Sequence, residues 1–137
     1  MRLILDACVA IAAVVEEDHT EAARALRNDF RNQIHELLAP DSLPIEVAHA
    51  LTRTERQGKI KAGRAQVAFN EFLDPCPKLY PYFDCLDRAM QLSSEFRIGV
   101  FDCVYVALAE EQECQVVTID KRFLELFPDL TVSLESL

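Results

Sequence analysis

Four carboxylates, far apart in the chain, stand where an acid can do chemical work: Asp6, Glu46, Asp102 and Asp120. Asp6 closes the apolar run "RLILDA" and Asp120 closes "QVVTID". Glu46 falls in the first turn of "LPIEVAHAL", and Asp102, at the start of "VFDCVYVALAE", is the only charge between Arg97 and Glu110. Carboxylates drawn together repel, and each holds its proton unless a cation compensates. A hard, oxygen-preferring ion such as Mg²⁺ or Mn²⁺ is the natural partner of such a set. Ions of this kind polarise a phosphoryl oxygen, orient or ionise a water and stabilise a leaving oxygen. Each acid alone also has a plainer reading. Asp6 can simply end a strand, Asp102 and Asp120 can cap helices, and Glu46 can be a first-turn acid meeting a helix dipole.

Positioning them is the task of the surrounding elements. "RLILDA" is a continuous apolar strand of the sort found in a parallel sheet covered on both faces, and a helix over Cys8–Val15 follows. "HTEAARALRNDF" is amphipathic, with Thr20 as N-cap and Ala23, Leu26 and Phe30 on one face. "HELLAPD" is a short second strand. Pro44 near its start and Gly58 at its end bracket the next helix. "KAGRAQVAFNEFL" is another helix, with Val67 and Phe69–Leu73 as apolar surface. The three prolines of "PCPKLYPYF" fit an irregular segment or an edge strand. Asp84 is placed to cap a helix "DCLDRAMQLSSEF". A buried helix around Asp102, apolar on nearly every side and including Phe101, leads to strand "CQVVTID", helix "KRFLELF" and strand "LTVSLES". Strands alternating with helices predict one α/β domain over 1–137, with a mostly parallel sheet between two helical layers. Ligands of such sheets bind beyond the carboxyl ends of the strands. Asp6 and Asp120 lie on that rim, and Glu46 and Asp102 open helices that can reach it.

Composition narrows the options. The net charge is −9 and the pI about 4.7, which argues against passive nucleic-acid binding by counterion release. An enzyme that meets nucleic acid through a divalent cation is not excluded, because the ion reverses the local field. Five cysteines with no C-x-x-C pair suit free thiols in a reducing cytosol. The longest apolar stretches are too short for a membrane span. Asp6 interrupts the greasy N-terminal run, so it reads as a strand entering a helix rather than as a signal peptide.

The stretches "LILDACVAIA", "PDSLPIEVAHAL", "VFDCVYVALAEE" and "VVTIDKRF" occur in this order and span nearly the whole chain. Together they resemble the PIN domain family, in particular the small VapC-type toxins of prokaryotic toxin–antitoxin pairs. The resemblance implies an α/β/α sandwich, a cytoplasmic RNase dependent on Mg²⁺ or Mn²⁺, a homodimer, and a small antitoxin whose basic tail would dock in the acidic groove. Its motif positions fall on Asp6, Glu46, Asp102 and Asp120 as catalytic metal ligands, with Thr118 matching the family's threonine just before the last acid. Two positions depart from the pattern. Cys8 stands where the family usually has Ser or Thr, and His49 where Asn is common, so both are candidate supporting residues. Arg53, one turn beyond His49, and Lys121 and Arg122, after Asp120, are candidate contacts to RNA phosphates. Two rivals stand beside the RNase. A catalytically silent PIN-like binding module would keep the fold, and a metal-dependent RNase assay separates it from an enzyme. A phosphoryl-accepting receiver domain usually pairs acids after its first strand, whereas only Asp6 follows that strand closely here.

Overall fold

Five strands form one parallel sheet: β1 (Arg2–Leu5), β2 (Glu36–Pro40), β3 (Lys78–Tyr80), β4 (Gln115–Thr118) and β5 (Thr131–Ser133). They lie in the order β3-β2-β1-β4-β5. The computed structural model describes residues 1–137. Leu3, Ile4, Leu37, Leu38, Val116 and Val117 are all buried, as strands covered on both faces require. The prolines of "PCPKLYPYF" are accommodated because β3 is an edge strand.

Right-handed crossovers carry the chain from β1 to β2 through α1 (Ala7–Ala12) and α2 (Thr20–Arg31), and from β2 to β3 through α3 (Leu43–Arg56) and α4 (Arg64–Phe72). The return from β3 to β4, through α5 (Leu86–Phe96) and α6 (Val100–Gln112), runs the opposite way across the sheet. The last crossover uses α7 (Lys121–Leu126). The first four helices therefore cover one face, where α1 packs on α2 and α3, and α3 on α4. On the other face α5 packs against α6. Every residue of α6 from Cys103 to Ala109 is buried, because the helix is held between α5 and the sheet.

Several local expectations are corrected. The first helix is shorter than Cys8–Val15, ending at Ala12, and the last strand spans only Thr131–Ser133. Thr20 is not the N-cap of α2. That position is His19, and the Thr20 hydroxyl instead accepts from Glu17 N–H and donates to the Val15 carbonyl. Asp84 does not cap α5, because it lies within a 3-10 turn over Tyr82–Cys85 and Cys85 takes the cap position. Val67 and Leu73 face solvent, and α4 seats Ala65, Ala68 and Phe72 instead. Phe101 is 64% exposed, since the first turn of α6 overhangs the layer that buries the rest of the helix.

Candidate active site

The connection from β1 runs to β2 on one side, whereas the return from β3 brings β4 in on the other side of β1. Its carboxyl end is thus a topological switch point, where an open α/β sheet leaves a crevice. Asp6 is the residue that follows. Only 8% exposed, it has both carboxylate oxygens engaged. Oδ1 accepts from Ala7 N–H at 2.8 Å, which caps α1. Oδ2 accepts from the Thr118 hydroxyl at 2.6 Å and from the Cys8 thiol at 3.1 Å. Thr118, fully buried at the end of β4, also accepts from Asp120 N–H at 3.1 Å. One hydroxyl thus ties the end of β1 to the turn that presents Asp120.

Asp120 caps α7, its Oδ1 accepting from Arg122 and Phe123 N–H. The capping reading of Asp120 is correct as geometry, that of Asp102 is not, because Gly99 holds the cap position of α6, and Asp6, expected only to end a strand, also caps a helix; a cap uses only part of a carboxylate and so is compatible with a site. Asp102 sits in the first turn of α6 and is exposed rather than buried beneath the site. Glu46 is half-buried in the first turn of α3. Its Oε2 accepts from the Tyr105 hydroxyl at 2.6 Å.

Electrostatics tie the four together. Burial pushes the Asp6 carboxyl above its ordinary value, and the Asp120 charge adds to the rise, against hydrogen bonds from Thr118, Cys8 and Ala7 that lower it. Loss of hydration raises Asp102, and the Asp6 and Asp120 charges raise it further while Arg122 opposes them. Glu46 is raised by burial and by the Asp6 and Asp102 charges, with the Tyr105 hydrogen bond acting the other way. No ion pair reaches any of the four. An oxygen-only set whose members disfavour one another's charge is the chemistry that suits Mg²⁺ or Mn²⁺. The fit is to a set of neighbouring acids rather than a finished cage, because no three His, Cys, Asp or Glu side chains are gathered closely enough to hold an ion.

The remaining predicted residues divide by position. Cys8 keeps its proton, its thiol pushed up to about 12 by burial and then by the Asp6 charge, and so remains a donor to Asp6. A hydroxyl is replaced here by a weaker donor without loss of the contact. His49 is exposed and lines an open groove of about 880 Å³ between α1 and α3, with Ala7, Ile11, Ile45, Glu46 and Phe101. Arg122 lies near Asp102 and reaches the Arg97 carbonyl at 3.4 Å. Lys121 and Arg53 are exposed and make no side-chain contact to the four acids. Tyr105 was not among the predicted residues. Its one signal is a phenol inside an apolar helix, which needs a partner once buried.

This sheet order, with four acids placed at the carboxyl ends of its strands, defines a three-layer α/β/α fold with a five-stranded parallel sheet. The PIN domain family model matches residues 3–126, and the chain belongs to that family. It is 32% identical to Ribonuclease VapC3 of Pyrobaculum aerophilum over 133 residues, covering 95% of this chain and 98% of that protein. It is 28% identical to Ribonuclease VapC9 of Mycobacterium tuberculosis over 111 residues, 77% of this chain and 84% of the relative. Two solved structures share the fold. PAE2754 of Pyrobaculum aerophilum superposes with a TM-score of 0.74 at 18% identity, over 99% of this chain and 91% of that one. VapBC2 of Rickettsia felis, solved bound to a DNA fragment from its promoter, superposes at 0.70 with 14% identity, over 97% and 98%. No helix is long and apolar enough to cross a membrane.

Proposed function

We propose that this chain is a VapC-type endoribonuclease, dependent on Mg²⁺ or Mn²⁺, acting as a single domain and as the toxin of a toxin–antitoxin pair. The observation that carries the reading is the mutual charge destabilisation of Asp6, Glu46 and Asp102, with Asp120 beside them and no protein cation paired to the set. A bound divalent ion would neutralise these acids and polarise a phosphoryl oxygen of RNA. Asp6 is the fixed member, oriented by three donors that leave it little freedom to rotate. Asp102 and Asp120 would complete the ligand set, with Glu46 acting directly or through water. A carboxylate at this rim would take a proton from the attacking water as the water oxygen bonds to phosphorus, the P–O bond to the leaving ribose oxygen breaks, and that oxygen takes a proton from solvent. Arg122, near Asp102, is placed to meet the scissile phosphate, with Lys121 and Arg53 further out.

The relatives named VapC ribonucleases support RNA as substrate, and the VapBC2 structure supports a partner of the antitoxin kind. An apolar groove with Glu46 on its border suits an apolar segment carrying a basic tail. Exposed Phe83 and Met90 offer apolar surface that pairing into a homodimer would cover. The free thiols support a reducing, cytoplasmic setting.

The test is cleavage of single-stranded RNA by the purified chain with Mg²⁺, with Mn²⁺ and with EDTA. Metal-restored cleavage that Asp102→Asn removes supports the enzyme. Absence of cleavage with both metals returns the chain to a silent PIN-like module.

A further inference from the structure

An acidic site is a poor hold on a polyanion, and apart from Lys121 and Arg122 the chain gathers a group of cations away from the rim. The last turn of α3, the connection to α4 and the first residue of α4 carry Arg53, Arg56, Lys59, Lys61 and Arg64 with a single acid, Glu55, in a protein of net charge −9. Glu55 is turned inward, its Oε1 accepting from Ala65 N–H at 3.0 Å at the start of α4. Arg64 is paired with Glu71. Arg53, Arg56, Lys59 and Lys61 are exposed and have no side-chain hydrogen bond or ion pair, so this tip presents uncompensated positive charge. Gly58 and Gly63, at φ 75° and 87°, fold the turn tightly, and a Cβ at either would meet only open space.

The tip is continuous with the acidic rim. Glu46, His49, Arg53 and Arg56 recur at helical spacing along one stripe of α3, while Leu43, Val47 and Leu51 face the core. From Glu46 to Arg56 the helix rises by about 15 Å, enough to separate a cleaved phosphate from phosphates further along the same strand.

We propose that Arg56, Lys59 and Lys61 at the α3–α4 tip form a second RNA contact that grips the phosphate backbone away from the cleaved bond. The proposal rests on the RNase reading and adds to it the means by which an acidic protein holds a long RNA. It also assigns a length dependence: short oligonucleotides reach the acids without reaching the tip.

The test is fluorescence anisotropy of the full chain with single-stranded RNAs of 4 and 20 nucleotides in Ca²⁺ buffer, over a salt series. The triple variant Arg56→Gln, Lys59→Gln, Lys61→Gln is compared with a charge-preserving Arg56→Lys. Expected is a loss of 20-mer affinity of about tenfold or more in the triple variant, a salt slope smaller by about 2, and near wild-type binding by Arg56→Lys. An unchanged slope and affinity in the triple variant, while the wild type cleaves RNA, overturns the tip and leaves the RNase reading intact. Tip-dependent RNA binding by a chain that cleaves nothing supports the tip and defeats the RNase reading. Unchanged RNA binding with lost binding of a polyglutamate peptide assigns the tip to an acidic protein partner and overturns the proposal.

Discussion

Replacing Tyr105 by phenylalanine removes a single oxygen from a side chain that is 1% exposed. That oxygen donates a 2.6 Å hydrogen bond to Glu46 Oε2, linking α6 to α3. Burial, and then the Glu46 charge, hold the phenol far above its ordinary titration range, so it is a donor at every working pH. A hydrogen bond to a charged group contributes about 1.5–3 kcal/mol, and the lower end applies because Glu46 keeps some access to water. Tyr105→Phe in the metal-free protein should therefore lower the Tm by about 5 °C. Glu46 should also lose its fixed orientation and hold its proton more tightly, since the bond opposes the rise caused by burial. An outer partner of a metal ligand typically changes affinity or activity by about 10–100-fold. Calorimetric titration with Mn²⁺ should show weaker binding, and RNA cleavage should fall mainly in kcat. A double-mutant cycle with Glu46→Ala isolates the pair. If the two substitutions add to within about 0.5 kcal/mol in stability, and Tyr105→Phe binds Mn²⁺ like the parent, Tyr105 does not position Glu46.

Three further outcomes are expected. Asp6→Asn and Asp102→Asn should each reduce RNA cleavage by about a hundredfold or more while leaving the metal-free Tm unchanged or raised, because each removes a mutually repelling charge; unfolding of either variant would instead show that its carboxylate serves the fold. Asp6, Glu46 and Asp102 all bind protons more tightly in the folded state. The folded chain then carries more protons than the unfolded one between about pH 4 and the raised values, so their contribution to stability falls as pH climbs through that window. Thermal melts without metal should show these acids stabilising the fold on acidification from neutrality to about pH 5, with saturating Mg²⁺ reducing the gain; an effect of pH identical in Asp6→Asn/Asp102→Asn and the parent would refute the assignment. Thiol titration of the denatured, non-reduced protein should count five free cysteines, and an intrachain disulfide by mass spectrometry would contradict the reducing setting.

The parallel sheet and its rim were legible because strands buried on both faces read as unbroken apolar runs, each ending on an acid or leading to one. Asp6 and Asp120 could be placed from that pattern alone. The partners that orient them could not, except through family resemblance in the case of Thr118. Periodicity does not reveal that a hydroxyl at the end of β4 reaches across to the end of β1. Tyr105 was hidden for a related reason: in "VFDCVYVALAE" it takes the place of a core residue, and only the position of α3 exposes its hydroxyl to Glu46. Phe101 misled in the opposite sense, since hydrophobicity says that a side chain can be buried and not that a layer exists to cover it. Caps failed at Thr20 and Asp84, where the hydroxyl turned to a neighbouring loop and a 3-10 turn delayed the helix.

The bond from Thr118 to Asp6 spans 112 residues of sequence, and β1 lies between a strand made early and one made late. During synthesis Asp6 emerges first and waits for its partners. At about 5–20 residues per second, Thr118 follows some ~6–22 s later. Until then β1 lacks β4, Asp6 lacks its shortest hydrogen bond, and Asp120 has yet to be made. For a protein that cuts RNA, the nearest RNA is its own message and the ribosome reading it. The order of the strands keeps the cutting edge unassembled for most of that encounter, a delay built into topology rather than supplied by any inhibitor.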